Sequence, residues 1–293
     1  MGLTGKSRQR QFSSRAEGGP APSIFVEQNS WRQPTVRLFS ICCCLEDGWR
    51  LTVRSPKRYI DSVTLPNADD DALERERLLV VIATIVINVI AVSLLTYAPW
   101  SDWRTGAALN IVDNCLLVGF TLVRRDALLA RFLLFGVVVG FTELLADAWL
   151  VDYTRTLDYS IGGGPMIWRS PLWMPLAWEV VAVQFGYVGL RLWERFGKTG
   201  LLMIGLLGAI NIPFYEEMAR RIHWWQYSGC RMISYTPWYI IVGEFGIALS
   251  FALLARTLRR DSWRVAVIAG VAGGVSIFVC YAMAFLITDR LIK

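Results

Sequence analysis

From Leu78 to Ala98 the chain runs without one charged residue, and a stretch of that length and character has few structures open to it. A helix needs about 20 predominantly apolar residues to cross roughly 30 Å of hydrocarbon. Six more such stretches follow: Gly106 to Val123, Leu128 to Val151, Pro171 to Trp193, Thr199 to Tyr215, Tyr235 to Ala255 and Trp263 to Ile287. Within lipid, backbone polar groups have no water to bond, so each stretch reads as a helix. The expected fold is all-α, a polytopic membrane bundle of about seven transmembrane helices over residues 72–293. The second and fifth stretches are short and carry Asp113 and Asn211. Gly136 with Gly140, and Gly270 with Gly274, sit at the small-residue spacing that lets helices approach closely in lipid.

Composition agrees. Only 18% of the residues are charged, where soluble domains carry about a quarter. The net charge of +6 comes from Lys and Arg that flank the apolar stretches, leaving no basic face for nucleic acid. Arg75, Arg77, Arg124, Arg125, Arg191, Arg195, Lys198, Arg256, Arg259, Arg260 and Arg264 fall on one side. That side is the richer, so the N-terminus is expected in the cytoplasm and the protein in a bacterial inner membrane. One His and no CxxC leave no metal set, and no cofactor is expected. Residues 1–71 lack sustained periodicity and read as mostly disordered, with a short hairpin conceivable around Trp49, Leu51 and Val53. Cys42, Cys43 and Cys44 are either a small apolar patch or acylation sites. Asp69, Asp70 and Asp71 look like charge at a helix start.

The polar residues inside the stretches matter most. Ionisable groups are costly in a bilayer, so a set at one depth marks a candidate working site. Counting from the helix ends places Asn110, Asp113, Glu143, Asp147, Glu179 and Glu244 in one layer near the outer face, with Glu216 and Glu217 at the rim. Glu143 and Asp147, four apart, share a helical face and could share a proton or a cation. A carboxylic acid held neutral in an apolar pocket is equipment for protonating an alkene or an epoxide. The plainer alternative pairs these acids with Arg169, Arg220 or Arg221 and holds the bundle together. Glu216 and His223, seven apart, share a face but lack the further ligands of a di-iron bundle.

Between Asp152 and Ser170 lies a run of Gly162, Gly163 and Gly164, either a flexible loop or a backbone cradle for an anion. Pro171 and Pro175 then bend the start of the fourth helix, as is tolerated beside a protein cavity. Trp149, Tyr153, Tyr159, Trp168, Trp173, Trp178, Trp224, Trp225, Tyr227, Trp238 and Tyr239 crowd the outer side. An interfacial belt accounts for most of them. Trp178 is too deep for a belt, and its ring face could stabilise a carbocation.

The stretch Glu143 to Gly189 resembles the integral-membrane carotenoid hydratases: an acid late in one helix, a Gly-rich polar loop, then Ser170-Pro-Leu-Trp-Met-Pro-Leu-Ala-Trp178. Thr236-Pro-Trp-Tyr-Ile-Ile-Val-Gly-Glu244 looks like a second such segment. Membrane terpene cyclases, seven-helix bundles with acids facing a lipid-like substrate, are similar in kind. The resemblance implies acid-initiated hydration or cyclisation of a double bond in a lipid or isoprenoid. It makes Glu143 and Asp147 the acid pair, supported by Glu179 and Glu244. Asp113, Trp178, Trp149, Glu216, Trp225 and Tyr239 are the expected substrate-binding residues. The expected partners are membrane lipid and a hydrophobic small molecule. Two alternatives stay open: a proton-coupled transporter, against which the stretches show no inverted repeat, and a non-catalytic membrane scaffold.

Overall fold

The computed structural model describes residues 68–291, and the Cys42–Cys44 and Trp49–Val53 readings lie outside them. Seven α-helices run through the described residues: α1 (Ala68–Leu95), α2 (Trp103–Arg124), α3 (Ala127–Ala148), α4 (Met174–Phe196), α5 (Lys198–Ile222), α6 (Trp238–Ala255) and α7 (Trp263–Phe285). All but α4 are long and apolar enough to cross a membrane. Such helices are the make-up of an integral membrane protein. Their outward faces carry Leu79, Leu94, Leu122, Val123, Ile210 and Ile268, each at least two-thirds exposed.

The exception has a reason. Helix α4 packs against α1, α2, α3, α5 and α6, while the others form a ring in the order α1, α2, α3, α7, α6, α5 and back to α1. A central helix is shielded from lipid by its neighbours, so Glu179, Gln184 and Tyr187 lower its hydropathy without meeting hydrocarbon directly.

Local chemistry sets the helix ends. Asp102 caps α2 through the Arg104 N–H, Asp126 caps α3 through the N–H groups of Leu128 and Leu129, and Ser262 caps α7 through Val265. Arg125 and His223 close α2 and α5 in the left-handed region. At the end of the bundle where α2 turns into α3, rich in Arg, Arg77 and Asp126 form a buried pair at 2.6 Å, Arg131 joins Asp261, and Glu74 and Glu194 share Arg191 and Arg259.

Two boundaries differ from the sequence reading. Helix α1 starts at Ala68, inside the region read as mostly disordered. Helix α5 runs on to Ile222 instead of stopping at Tyr215. Hydropathy fell there because Glu217, Arg220 and Arg221 are charged, yet they neutralise one another one turn apart. The same turns bury Glu216, Ala219 and Ile222 on the opposite face.

Six two-residue strands cap the other end, and they expose a parallel internal repeat. Strands β2 (Met166–Ile167) and β3 (Ser170–Pro171) form a hairpin leading into α4; β5 (Met232–Ile233) and β6 (Thr236–Pro237) form another leading into α6. Both read Met-Ile-x-x-Ser/Thr-Pro, both turn on a positive-φ residue (Trp168 at 55°, Ser234 at 58°), and both are extended by one backbone bond, Leu172 to Pro165 and Trp238 to Arg231. Ahead of them, β1 (Leu157–Asp158) and β4 (Gln226–Tyr227) pair antiparallel, joining the halves. Asp147 and Glu216 each stand ten residues before the first residue of β1 and β4. Helix packing repeats too: a Cβ on Gly136 would meet Glu179 at 2.7 Å, and one on Gly205 would meet Phe245 at 2.8 Å. Glu179 and Phe245 are each eight residues past their hairpin proline.

Candidate functional site

A cavity of about 290 Å³ lies between α4 and the wall made by α1, α2 and α5. Its polar end is built by the repeat. Helix α3 brings Asp147, α5 brings Glu216 and α6 brings Glu244, and all three line the cavity while being no more than 5% exposed. Each carboxyl is held by a ring donor. Asp147 accepts from the Tyr159 hydroxyl at 2.8 Å and from Ser170; Glu216 from the Trp225 indole at 2.6 Å and Tyr227 at 3.3 Å; Glu244 from Tyr281 at 2.6 Å. Burial, together with the neighbouring carboxyls, pushes the Tyr159 and Tyr227 phenols well above their usual range, so both remain donors.

Glu143 sits behind Asp147, fully buried, with Asp147, Trp178 and Glu244 around it. Among the described residues neither carboxyl oxygen receives a well-formed hydrogen bond, and Asp147 and Trp178 are the polar side chains near enough to bond to it. A buried polar group without a partner costs of order 1–3 kcal/mol and calls for a functional account.

Indoles close the cavity at the end that carries the hairpins. Trp173 packs on Trp224 and Trp225 with ring centroids 5.5 and 6.2 Å apart, and Tyr159 meets Trp225 edge-on at 6.2 Å. Trp224 is tied to the Asp102 carbonyl, and Trp173 to that of Gly163. Tyr159, Trp173 and Trp224 are therefore buried roof, not belt; Tyr153, Trp168 and Trp238 remain exposed, as a belt requires. The glycine run is packed rather than flexible: Gly162 lies against the His223 carbonyl, and Gly164, at φ 80°, against the Trp103 ring. Asn88, Asn110, Asn211 and Gln184 line the cavity farther along.

The expected site residues divide. Asp147, Glu244, Glu216, Trp178 and Trp225 line the cavity. Glu143 stands directly behind. Glu179 faces the other way, into a separate crevice of about 110 Å³ with Val137, Phe141, Leu172 and Pro175, because its place in the repeat points at α3. Asp113 is buried between α1 and α2, accepting from Asn88 at 2.6 Å. Trp149 stacks on Tyr153 and meets Phe278 and Phe285 near α7. Tyr239 bonds Thr156 and packs on Tyr281 and Phe285. So Glu179, Asp113, Trp149 and Tyr239 are not brought to the cavity wall. Of the suggested Arg pairings, Arg220 and Arg221 hold Glu217 at the rim while Arg169 meets Asp152, so none reaches a cavity acid. His223 is exposed and cannot join Glu216. Among the described residues, no group of three or more His, Cys, Asp or Glu side chains is arranged to hold a metal ion.

Tyr159, Tyr227, Tyr281 and Ser170 were missing from the sequence-based acid set. Tyr159 and Tyr227 follow their acids across a helix end, and Tyr281 lies on another helix, so no helical spacing links them. The repeated Met-Ile-x-x-Ser/Thr-Pro is the signal that could have pointed to Ser170.

Residues 144–288 match a family described as "Domain of unknown function (DUF6989)". No curated protein and no solved structure matches the chain. The matched stretch holds both hairpins and Asp147, Glu216 and Glu244, with Glu143 one residue outside it.

Proposed function

We propose that this is a seven-helix membrane enzyme, N-terminus in the cytoplasm, that hydrates or cyclises a double bond in a lipid or isoprenoid by carboxylic-acid initiation. The observation that supports it is one: three carboxyls from three helices meet at the end of an apolar cavity roofed by indoles. An acid there has no bulk water to protonate, so its proton is available to a substrate carbon.

Asp147 is the donor in this reading, and Glu143 behind it shares the proton until substrate takes it. The proton bonds to one alkene carbon and leaves a cation on the other, flanked by the ring faces of Trp178 and Trp225. In hydration, water bonds to that cation and its surplus proton passes to Glu216 or Glu244. In cyclisation, a second double bond closes the ring and a neighbouring C–H gives up the proton. One proton enters and one leaves, so neither route needs a redox partner.

The test uses the purified protein in lipid nanodiscs with a linear polyene, in heavy water. The expected product carries one new C–D bond and is lost in Asp147→Asn with no change in melting temperature. Turnover that survives both Asp147→Asn and Glu216→Gln sinks the proposal. A proton-coupled carrier is the second reading, favoured by the parallel repeat, which some transporters share. It calls instead for uptake into proteoliposomes that follows the proton gradient.

A further inference from the structure

The cavity is long, and its walls are uneven. Along α4 its lining runs from Trp173 to Val188, and along α5 from Ile204 to Glu216. At 1.5 Å per residue these are lengths of about 22 and 18 Å. Asp147 and Glu216 sit at one end, and Glu244 follows partway along with its backbone beside Gly208; the far end is lined by Ile85, Val181, Phe185, Val188, Ile204 and Leu207. A compact ligand would leave that half empty, whereas an extended apolar chain fills it.

The seam between α1 and α5 closes the ring of helices. It is joined at its outer end, where the Thr96 hydroxyl donates to the Met218 sulfur at 2.9 Å. Below that contact Ile85, Asn88 and Val92 of α1 and Ile204, Leu207, Asn211 and Ile212 of α5 turn to the cavity instead. Leu207 both lines the cavity and is 48% exposed. The outer surface beside it, with Leu206, Ile210 and Ile90, is apolar and suits hydrocarbon. Access from the outer aqueous side is blocked by Trp173, Trp224 and Trp225.

We infer that the occupant is a single extended hydrocarbon chain that passes sideways from the bilayer between α1 and α5 and lies along α4 with one terminus at the carboxyls. The inference rests on the enzyme reading for what happens at that terminus, but not for the route. The amides of Asn88 and Gln184 are tied within the protein, through Asp113, the Thr84 carbonyl and the Thr84 hydroxyl. These tied amides offer the chain a fixed wall rather than free donors, and Asn211 on α5 is the amide left to face it partway along.

The experiment is photolabelling of the full chain in nanodiscs holding a trace of a linear polyprenol with a diazirine at its chain end. Labelled residues are mapped by mass spectrometry. The expected sites are Val188, Ile204 and Leu207 on the inner half of the cavity, and this interior label is lost in Ile85→Trp and in Leu207→Trp. Leu206→Trp, one residue over on the outer face, keeps it. Asp147→Asn also keeps it, which separates the route from the chemistry; interior label in an unaltered protein that turns over no polyene leaves the inference standing and removes the enzyme reading. Label confined to outward residues such as Ile90 and Ile210 overturns the inference with the unaltered protein alone. So does interior label that survives both seam substitutions.

Discussion

At the scale of single residues, each cavity carboxyl depends on the donor that faces it, and the donors are unequal in number. Among the described residues Glu244 accepts from Tyr281 alone, whereas Glu216 accepts from both Trp225 and Tyr227. Tyr281→Phe leaves a buried acceptor empty, which costs about 1–3 kcal/mol. Tyr227→Phe leaves Glu216 its shorter bond and should cost clearly less. Thermal unfolding of the two variants side by side checks the order; equal losses would mean that the rings matter through packing alone. The acids themselves were legible in the sequence because a carboxyl in an apolar stretch stands out. Their directions were not. Glu179 and Trp178 are adjacent, and a helical step of one residue turns one into the α3 crevice and the other into the cavity.

At the scale of elements, the bundle is held by glycines at close crossings, and not every glycine does that. A Cβ on Gly140 would collide with the Pro175 carbonyl where α3 meets α4, while one on Gly119 meets nothing within 4 Å. Gly140→Ala should destabilise the protein by about 1–3 kcal/mol through overpacking. Gly119→Ala should be neutral or gain up to about 1 kcal/mol from helix propensity. Melting midpoints in one detergent decide this, and a stable Gly140→Ala would show that α3 and α4 can separate freely. Hydropathy located six of the helices because apolar length is what lipid selects, and it located α4 although that helix falls short of the same measure. It missed the extra turns of α5, where Glu217, Arg220 and Arg221 mask a buried face. Part of the repeat was legible, since residues 236–244 look like a second 170–178 segment; the rest was not, because outside the hairpins and Gly136 with Gly205 the residues compared differ, as Asp147 does from Glu216 and Glu179 from Phe245.

At the scale of the whole molecule, the two repeated halves and α7 make one body, and α1 with α2 forms the wall that turns its side into a cavity. That wall is pinned at the basic end by one buried ion pair. Arg77 of α1 reaches Asp126 through two bonds of 2.6 and 3.0 Å, and the same carboxyl caps α3. The two side chains are 7% and 1% exposed, so removing one partner strands the other away from water. Breaking a buried pair in that way costs about 3–5 kcal/mol. Arg77→Ala should therefore lower the melting temperature sharply. The exposed pair of Arg104 and Asp102, whose side chains are 74% and 40% accessible, should behave otherwise: an exposed pair contributes about 0–1 kcal/mol, so Arg104→Ala should scarcely move it. Because α1 is one side of the seam, Arg77→Ala should also widen what a lipid-borne label reaches on Ile204 and Asn211. Asp126→Asn keeps part of the helix cap while removing the charge, and it should fall between the two variants in stability. If Arg77→Ala melts where the unaltered protein does, α1 is held by the bilayer and not by this pair, and the cavity wall is a mobile one.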